Sequence, residues 1–225
     1  MIDISKVEVV GWESAIRGLR NPLNSWGKSD SALCKRNIDD CSVATPYYCP
    51  KAGDFDEDFY CIGENDFDLM KRLANAGTDH AKYRRMITVY ADILAPLYWW
   101  KEYDTYKVGT VANSCSTMHK IQSKEFTIND FSHDQMCHNG KCMLKDIINV
   151  LNKNRELFIY SNNKQNWWNM IQLLPSSYNQ KRTVMLNYEV LANMYHSRRS
   201  HKLDEWREFC KWVESLPYSE LITGA

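Results

Sequence analysis

The sequence predicts an α+β fold in a single domain over residues 1–225. Apolar residues recur at helical spacing in several long segments, and a few short segments between them have the composition of strands. The chain contains neither an internal repeat nor a low-complexity tail. A chain of this length is also long enough to bury a sizeable core.

The first part of the chain predicts a strand, a helix and an insertion. Residues 6–10, KVEVV, have strand composition, and residues 12–21 predict a helix that ends before Pro22. The next segment, residues 22–62, is polar and has no long helical pattern, and such a stretch inside a compact domain is usually functional or mobile. We therefore expect an insertion that serves as a lid, a metal knuckle or a partner surface. It contains Cys34, Cys41, Cys49 and Cys61.

The remaining elements are predicted to be mostly helical. Residues 64–77 predict a helix that Asn65 or Asp66 caps. Residues 86–93 have strand composition, and residues 95–103 begin another helix. Further along, the pattern predicts helices over residues 142–160, 166–175, 187–199 and 203–216, and a strand over 182–186.

Charge and hydropathy exclude several classes of protein. Lys plus Arg and Asp plus Glu number 28 each, so the net charge is zero, and no basic run suited to duplex nucleic acid appears. No apolar run approaches the ~18 residues of a membrane-spanning helix. The first twenty residues do not have the pattern of a signal peptide. We therefore expect a cytoplasmic protein that binds neither a nucleic acid polymer nor a membrane, and whose eight cysteines are reduced.

Cysteine and histidine residues leave two interpretations open. The segment HDQMCHNGKC, residues 133–142, and the insertion together supply many possible metal ligands. Zinc sites prefer tight C-x2–4-C pairs, which the insertion lacks, so separate thiols are favoured over a metal site and we assign no metal ligand. Cys115 lies among hydroxyls and is either a reactive thiol or a small residue packed at a helix start.

The stretch KVGTVANSCSTMH, residues 107–119, is dense in hydroxyls and amides and follows the aromatic run APLYWWKEYDTY, residues 95–106. A simple connection does not require so many polar side chains, whereas a site for a polar ligand does. We interpret the aromatic run as core packing, with stacking on a flat ligand as the alternative.

Three basic pairs lie near predicted element ends. The planar fork of arginine suits phosphate, because it donates two parallel hydrogen bonds. Either one pair faces an anionic ligand or all three are solvated surface features. The three pairs are Arg84–Arg85, Lys181–Arg182 and Arg198–Arg199.

Several of these stretches together resemble the flavin-dependent (alternative) thymidylate synthases over residues 64–210. In that family A-P and an aromatic helix lead into the signature R-H-R-x-x-S-x-N-E-x-S-x-R-Y, and APLYWWKEYDTYKVGTVANSCSTMH, residues 95–119, is similar in order, with one extra residue. LLPSSYNQKRTVMLN places Asn187 twelve residues after Pro175, like the Asn of the family's T-V-N after L-P. SRRSHKLDEWRE, residues 197–208, resembles the closing L-R…H-A-Q-W-E.

The resemblance implies a fold, an assembly and a chemistry. It implies a central mixed β-sheet flanked by helices, in a subunit that assembles as a homotetramer with active sites at subunit junctions. It implies binding of FAD and dUMP, with NADPH as reductant. The reaction transfers a one-carbon group from methylenetetrahydrofolate to C5 of the pyrimidine nucleotide, with the flavin carrying the hydride.

The same resemblance implies two sets of binding residues and no catalytic residue. The cofactor set is Tyr106, Lys107, Thr110 and Asn187. The substrate set is Asn113, Ser116, His119, Gln172, Arg182 and Arg198. All ten are polar or cationic side chains suited to a nucleotide-like small molecule.

Four arginine positions of the family pattern have lost their charge here, at Thr105, Met118, Ile171 and Glu189. One charged hydrogen bond contributes about 1.5–3 kcal/mol, so losing several predicts much weaker binding of FAD and dUMP. Three functions follow as alternatives. The first is a diverged FAD-dependent nucleotide methyl- or hydroxymethyl-transferase, and the second is a non-catalytic nucleotide-binding or sequestering protein on the same scaffold. The third is a purely structural oligomer.

Overall fold

The structure is a computed structural model that describes residues 1–34 and 59–224, and it confirms the α+β class. The strands are β1 (Asp3–Val10), β2 (Ala32–Cys34), β3 (Phe59–Cys61), β4 (Thr88–Pro96), β5 (Thr110–Ser114) and β6 (Asn179–Asn187). The helices are α1 (Trp12–Arg20), α2 (Glu64–Asn75), α3 (Leu97–Tyr103), α4 (His138–Ser161), α5 (Lys164–Leu173), α6 (Tyr188–Arg198), α7 (Asp204–Glu214) and α8 (Glu220–Thr223).

The central sheet has four strands in the order β1-β4-β6-β5, and helices cover one of its faces. Every described strand pair is antiparallel, so the expectation of a mixed sheet is wrong in that detail. The direction of a strand depends on the connection that leads into it, and the residue composition of the strand does not indicate that direction. Strands β2 and β3 form a separate antiparallel pair.

The main core lies between the inner face of the sheet and helices α1, α2, α3, α6 and α7. Alternate residues of β4, such as Val89 and Ile93, point into it, whereas Tyr90 and Leu94 lie exposed on the other face. This alternation is the expected pattern for a sheet covered on one side. A second, smaller core joins α4, α5 and the segment 121–131.

The aromatic run at residues 95–106 belongs mainly to the core, as the first interpretation predicted. Trp99, Trp100 and Tyr103 are almost fully buried, and the rings of Trp99 and Trp206 lie 4.8 Å apart. Burial raises the pKa of Tyr103, so its hydroxyl stays protonated at neutral pH.

The predicted cap of α2 is wrong, because the N-cap residue is Gly63. The side chain of Asp30 accepts hydrogen bonds from the backbone N–H of Asn65 (2.9 Å) and of Asp66 (3.1 Å). A carboxylate from a distant part of the chain therefore accepts the hydrogen bonds of two free backbone N–H groups in the first turn of α2. Asp66 itself is fully buried.

The insertion is described only at its two ends. These contain short 3-10 turns at Asn21–Leu23 and Trp26–Lys28, followed by the β2–β3 pair. The expectations for Cys41 and Cys49 lie outside the described residues. Among the helices that the structure describes, none is long and apolar enough to cross a membrane.

Candidate functional site

The polar stretch 107–119 forms a turn, the edge strand β5 and a second turn. Gly109 has a left-handed φ of 80°, and a Cβ at this position would lie 2.6 Å from Nδ2 of Asn187. Glycine is therefore required both by the backbone conformation and by the close approach of Asn187. In the second turn, Oγ of Ser116 accepts hydrogen bonds from the backbone N–H of Met118 and of His119.

Arg198, at the end of α6, is held by residues from the end of α3. Its Nη1 donates to Oε2 of Glu102 over 2.6 Å, and its Nε donates to the hydroxyl of Tyr106 over 3.0 Å. The guanidinium also lies 4.9 Å from the ring centroid of Trp206. The same Glu102 oxygen accepts from Nε1 of Trp206 at 3.1 Å and lies 3.3 Å from Nε2 of His201. We call these five residues the Arg198 cluster.

Arg182, on β6, is paired in a different way. Its Nη1 and Nη2 donate to the two carboxylate oxygens of Asp104 at 2.6 and 3.4 Å, and its Nε donates to Oε1 of Gln180 at 3.0 Å. The guanidinium stacks 4.2 Å from the ring centroid of Trp100. All three nitrogens of Arg182 are therefore occupied within the protein, so a phosphate would have to displace Asp104.

Asn187 and Thr110 join the turn to the sheet. Oδ1 of Asn187 accepts from the backbone N–H of Val190 at 2.9 Å and so caps α6. Thr110, which pairs with Leu186 in the sheet, donates its hydroxyl to the carbonyl of Tyr106. These contacts fix the position of the turn beside the Arg198 cluster.

The ten predicted site residues do not all meet. Contacts link one group around the C-terminal end of α3, in which Tyr106 contacts Thr110 and Arg198. Asn187 lies against Gly109 at the opposite end of α6 from Arg198, and Arg182 is joined to α3 through Asp104. A second group extends along the edge strand, where Asn113 pairs with Thr183, into the exposed turn that contains Ser116 and His119. Lys107 is exposed beside the first group, and Gln172 lies exposed on α5 without a hydrogen bond to the other nine.

A flavin fits the residues of one chain poorly. At the signature's arginine positions, the hydroxyl of Thr105 donates to the backbone carbonyl of Glu102, and Met118 offers a half-exposed thioether. Lys107 is a single exposed charge, and Arg182 is fully paired. A pyrophosphate normally requires several converging donors, and the described residues of one chain do not supply them.

Sequence reasoning missed three residues that shape this region, Glu102, Asp104 and Trp206. The two acids lie inside the aromatic run, and each neutralises an arginine more than seventy residues away in sequence. One local signal existed for Glu102, because it stands only four residues before Tyr106 in the sequence. No pattern in the sequence pairs it with Arg198.

The cysteine and histidine residues form no metal-binding group of three or more ligands within residues 1–34 and 59–224. Cys142 Sγ lies 3.6 Å from Nε2 of His138, one helical turn away on α4. Cys115 is exposed just after β5, so the packed alternative is wrong for this residue.

Comparison with solved structures identifies the fold. The flavin-dependent thymidylate synthase ThyX from Helicobacter pylori, in complex with FAD and dUMP, matches with a TM-score of 0.65 and 15% identity over 98% of this chain and 99% of that chain. A second structure of that enzyme with FAD and dUMP matches with a TM-score of 0.64 and 15% identity over 100% and 98% of the two chains.

A third solved structure, the UMP/dUMP methylase PolB from Streptomyces cacaoi bound with 5-Br UMP, has a TM-score of 0.53 and 13% identity over 72% of this chain and 83% of that chain. No protein-family profile and no curated protein sequence matches the chain. At these identities the comparisons establish the fold, and they confirm the resemblance predicted from the order and spacing of the motifs.

Proposed function

We propose that this protein, which has the fold of the flavin-dependent thymidylate synthases, binds a pyrimidine nucleotide at the C-terminal end of α3. The observation that carries the proposal is the geometry of Arg198. Two of its three guanidinium nitrogens are occupied by Glu102 and Tyr106, and no described residue accepts from the third, Nη2. Tyr106, which holds Arg198, also contacts Thr110, so three of the predicted site residues meet here.

A guanidinium fixed in this way suits one kind of ligand atom. Binding does not have to order the Arg198 side chain, because the carboxylate, the hydroxyl and the Trp206 ring already hold it. Because Glu102 occupies one nitrogen of Arg198, the guanidinium cannot bind a phosphate through two parallel hydrogen bonds. One remaining nitrogen instead matches a single acceptor, such as a pyrimidine carbonyl oxygen.

The exposed edge of β5 supplies the other contacts in this proposal. The amide of Asn113 both donates and accepts, so it can pair with the donor and acceptor edge of a pyrimidine. Ser116 has already accepted two backbone hydrogen bonds, but its hydroxyl proton is free to donate. Lys107 supplies the positive charge for the phosphate.

The test is a titration with dUMP and UMP by isothermal calorimetry. Arg198→Ala is expected to weaken binding by about tenfold or more, which is the usual worth of one charged hydrogen bond. Arg199→Ala is the matched control, because it removes an exposed cation from the next position. Equal affinities of the two variants, in a protein that binds either nucleotide, would place the site elsewhere.

A second function, FAD-dependent transfer of a one-carbon group to C5 of the nucleotide, is favoured by the fold but opposed by the internally paired arginines. Visible absorption of the purified protein, with and without added FAD, separates the two functions. Flavin absorption that co-elutes with the protein supports the transferase. A colourless protein that fails to bind FAD but binds dUMP supports the non-catalytic binding protein.

We also propose that a second copy of the chain completes the site, in a homo-oligomer such as a tetramer. Lys107, Asn113, Ser116, His119 and Gln172 are all exposed in one chain. A small-molecule site usually buries most of its ligand, so these residues need a cover. Light scattering coupled to size exclusion, with and without dUMP, tests whether the chain forms such an oligomer. A protein that binds dUMP and remains a monomer while it does so would rule out a site completed by a second copy.

A further inference from the structure

A cavity of about 430 Å³ lies between α3, α7 and two connecting segments. The segment 132–136 and the segment 175–177 form two of its walls. Tyr98, on α3, and Glu205, on α7, form the third. None of the ten predicted site residues lines this cavity.

The cavity contains a buried carboxylate. Glu205 is only 6% exposed, and its Oε1 accepts from the hydroxyl of Tyr98 and from the amino group of Met1, the latter at 2.9 Å. No side chain of the described residues donates to its other oxygen, Oε2. Burial opposes ionisation, but the hydrogen bonds from Tyr98 and Met1 outweigh it and lower the pKa of Glu205, so it is charged at neutral pH.

A second polar group in the wall lacks a partner. Ser177 is 7% exposed, and its Oγ is buried without a hydrogen bond to any residue that the structure describes. Leaving such a group unpaired costs about 1–3 kcal/mol. Because Oγ is fully buried, a ligand in the cavity reaches it only after the Ser177 side chain turns toward the cavity, and the hydrogen bond then removes this cost.

The amino group of Met1 indicates the chemistry that this region accepts. Besides Glu205, it contacts Oγ of Ser132 at 3.2 Å and Oδ2 of Asp134 at 3.1 Å. The two carboxylates and one ammonium leave a local charge of −1. One further positive group would neutralise it, and the volume of about 430 Å³ lies beside Met1 and is not filled by it.

We propose that this cavity binds a small organic cation through a primary ammonium group. The ammonium donates to Oε2 of Glu205 and to Oγ of Ser177, and Asp134 adds a long-range attraction. The apolar part of the ligand lies against Pro175, Met136 and the ring of Tyr98, which line the same cavity. A primary ammonium has three donors, which matches these acceptors better than a single-donor cation does.

Butylammonium is a suitable probe, and butyltrimethylammonium is its matched control, because it has the same tail and charge but no N–H donor. Nuclear magnetic resonance titration of the full chain is expected to show saturable binding of butylammonium, and binding of the control at least about tenfold weaker. Equal binding of the two probes, or no saturation by butylammonium, would overturn the proposal.

Substitutions at Glu205 and Ser177 test whether the ligand binds in this cavity. Glu205→Gln is expected to weaken butylammonium binding about tenfold or more, whereas Glu208→Gln, which removes an exposed acid from the same helix, leaves it unchanged. If Glu205→Gln fails to fold, Ser177→Val fills part of the cavity and is expected to abolish binding. Unchanged affinity in the folded variants contradicts the proposal.

Chain extension gives an independent check. Two residues placed ahead of Met1 convert its ammonium into a neutral amide, so the local charge becomes −2. Butylammonium is then expected to bind several-fold more tightly at low salt, with a stronger dependence on ionic strength. Weaker binding by the extended chain would mean that Met1 belongs to the site and that the cavity beside it does not.

Discussion

Arg198 and Glu102 form an ion pair across the ends of α6 and α3, with 2.6 Å between Nη1 and Oε2. Glu102→Gln keeps an acceptor for Trp206 but removes the charge that occupies the arginine. We expect dUMP and deoxyuridine both to bind several-fold more tightly, because the uncharged amide leaves the guanidinium a stronger donor to the carbonyl oxygen of the base. Calorimetry with the two ligands measures this, and their gains should be similar, because Lys107 and not Arg198 faces the phosphate in the proposal. Glu208→Gln is the control, and a gain confined to dUMP would contradict the explanation.

Asp66 and Arg20 form a buried ion pair, with Nε and Oδ1 2.6 Å apart. Ser29 and Ser31 donate their hydroxyls to the other carboxylate oxygen. Removing the charge of one partner leaves the other uncompensated, so Asp66→Asn is expected to lower the free energy of unfolding by about 3–5 kcal/mol. Urea unfolding measures this. Asp68→Asn, on the exposed side of the same helix, should cost less than about 1 kcal/mol.

The same carboxylate predicts a dependence on pH. Burial raises the pKa of Asp66, but the hydrogen bonds from Ser31, Ser29 and Arg20 outweigh it, so the pKa lies below its ordinary value. Since the unfolded chain binds this proton at a higher pH than the folded protein, the stabilisation is complete above about pH 4 and is lost as the pH falls below it. Urea unfolding between pH 5 and 3 should therefore show a shallower decline for Asp66→Asn. An identical decline for the wild type would mean that other carboxylates dominate.

Gly109 and Gly77 both have a left-handed φ but differ in their surroundings. A methyl group at Gly109 would meet Nδ2 of Asn187 at 2.6 Å, whereas nothing lies within 4 Å at Gly77. Each substitution to Ala costs about 1–2 kcal/mol for the backbone alone. Gly109→Ala should cost about 1 kcal/mol more and weaken dUMP binding, whereas Gly77→Ala should leave binding intact. Equal losses of stability would show that Asn187 moves aside freely.

The thiols should differ sharply in reactivity. Burial, with a smaller contribution from Glu214, raises the pKa of the Cys210 thiol to about 11. Cys115, Cys137 and Cys142 are exposed. Since the thiolate is the reactive form, iodoacetamide at pH 8 is expected to modify these three cysteines within minutes and to leave Cys210 unmodified in the folded protein. Peptide mass spectrometry measures this, and fast labelling of Cys210 would indicate local opening of α7.

Much of the fold could be predicted because its signals are local. The buried stripe of α4, Leu144, Ile148 and Leu151, follows directly from helical spacing, as does the stripe of α7. The order and spacing of the motifs between residues 64 and 210 also pointed to the fold that the solved structures share. These features depend on residues close together in sequence, whose periodicity a single chain displays.

The candidate site was less predictable, because its charges are paired across the fold. The sequence contains Arg182 and Arg198, but it does not show that Asp104 and Glu102 occupy them. Such pairs depend on how α3 packs against β6 and α6, and therefore on contacts between residues far apart in the chain. For the same reason, the hydroxyls at Ser116 and Thr110 were visible, but their backbone partners were not.

The sequence by itself thus determined most of the helices and the strands β1, β4 and β6, but not β2, β3 or β5, and it showed which polar residues lie near one another along the chain. Only the tertiary structure decided that the sheet is antiparallel, that Asp30 and not Asn65 or Asp66 satisfies the first turn of α2, and that one nitrogen of Arg198 has no acceptor among the described residues. The physical reason is that periodicity acts within a few residues, whereas strand direction and charge pairing depend on how distant segments pack together.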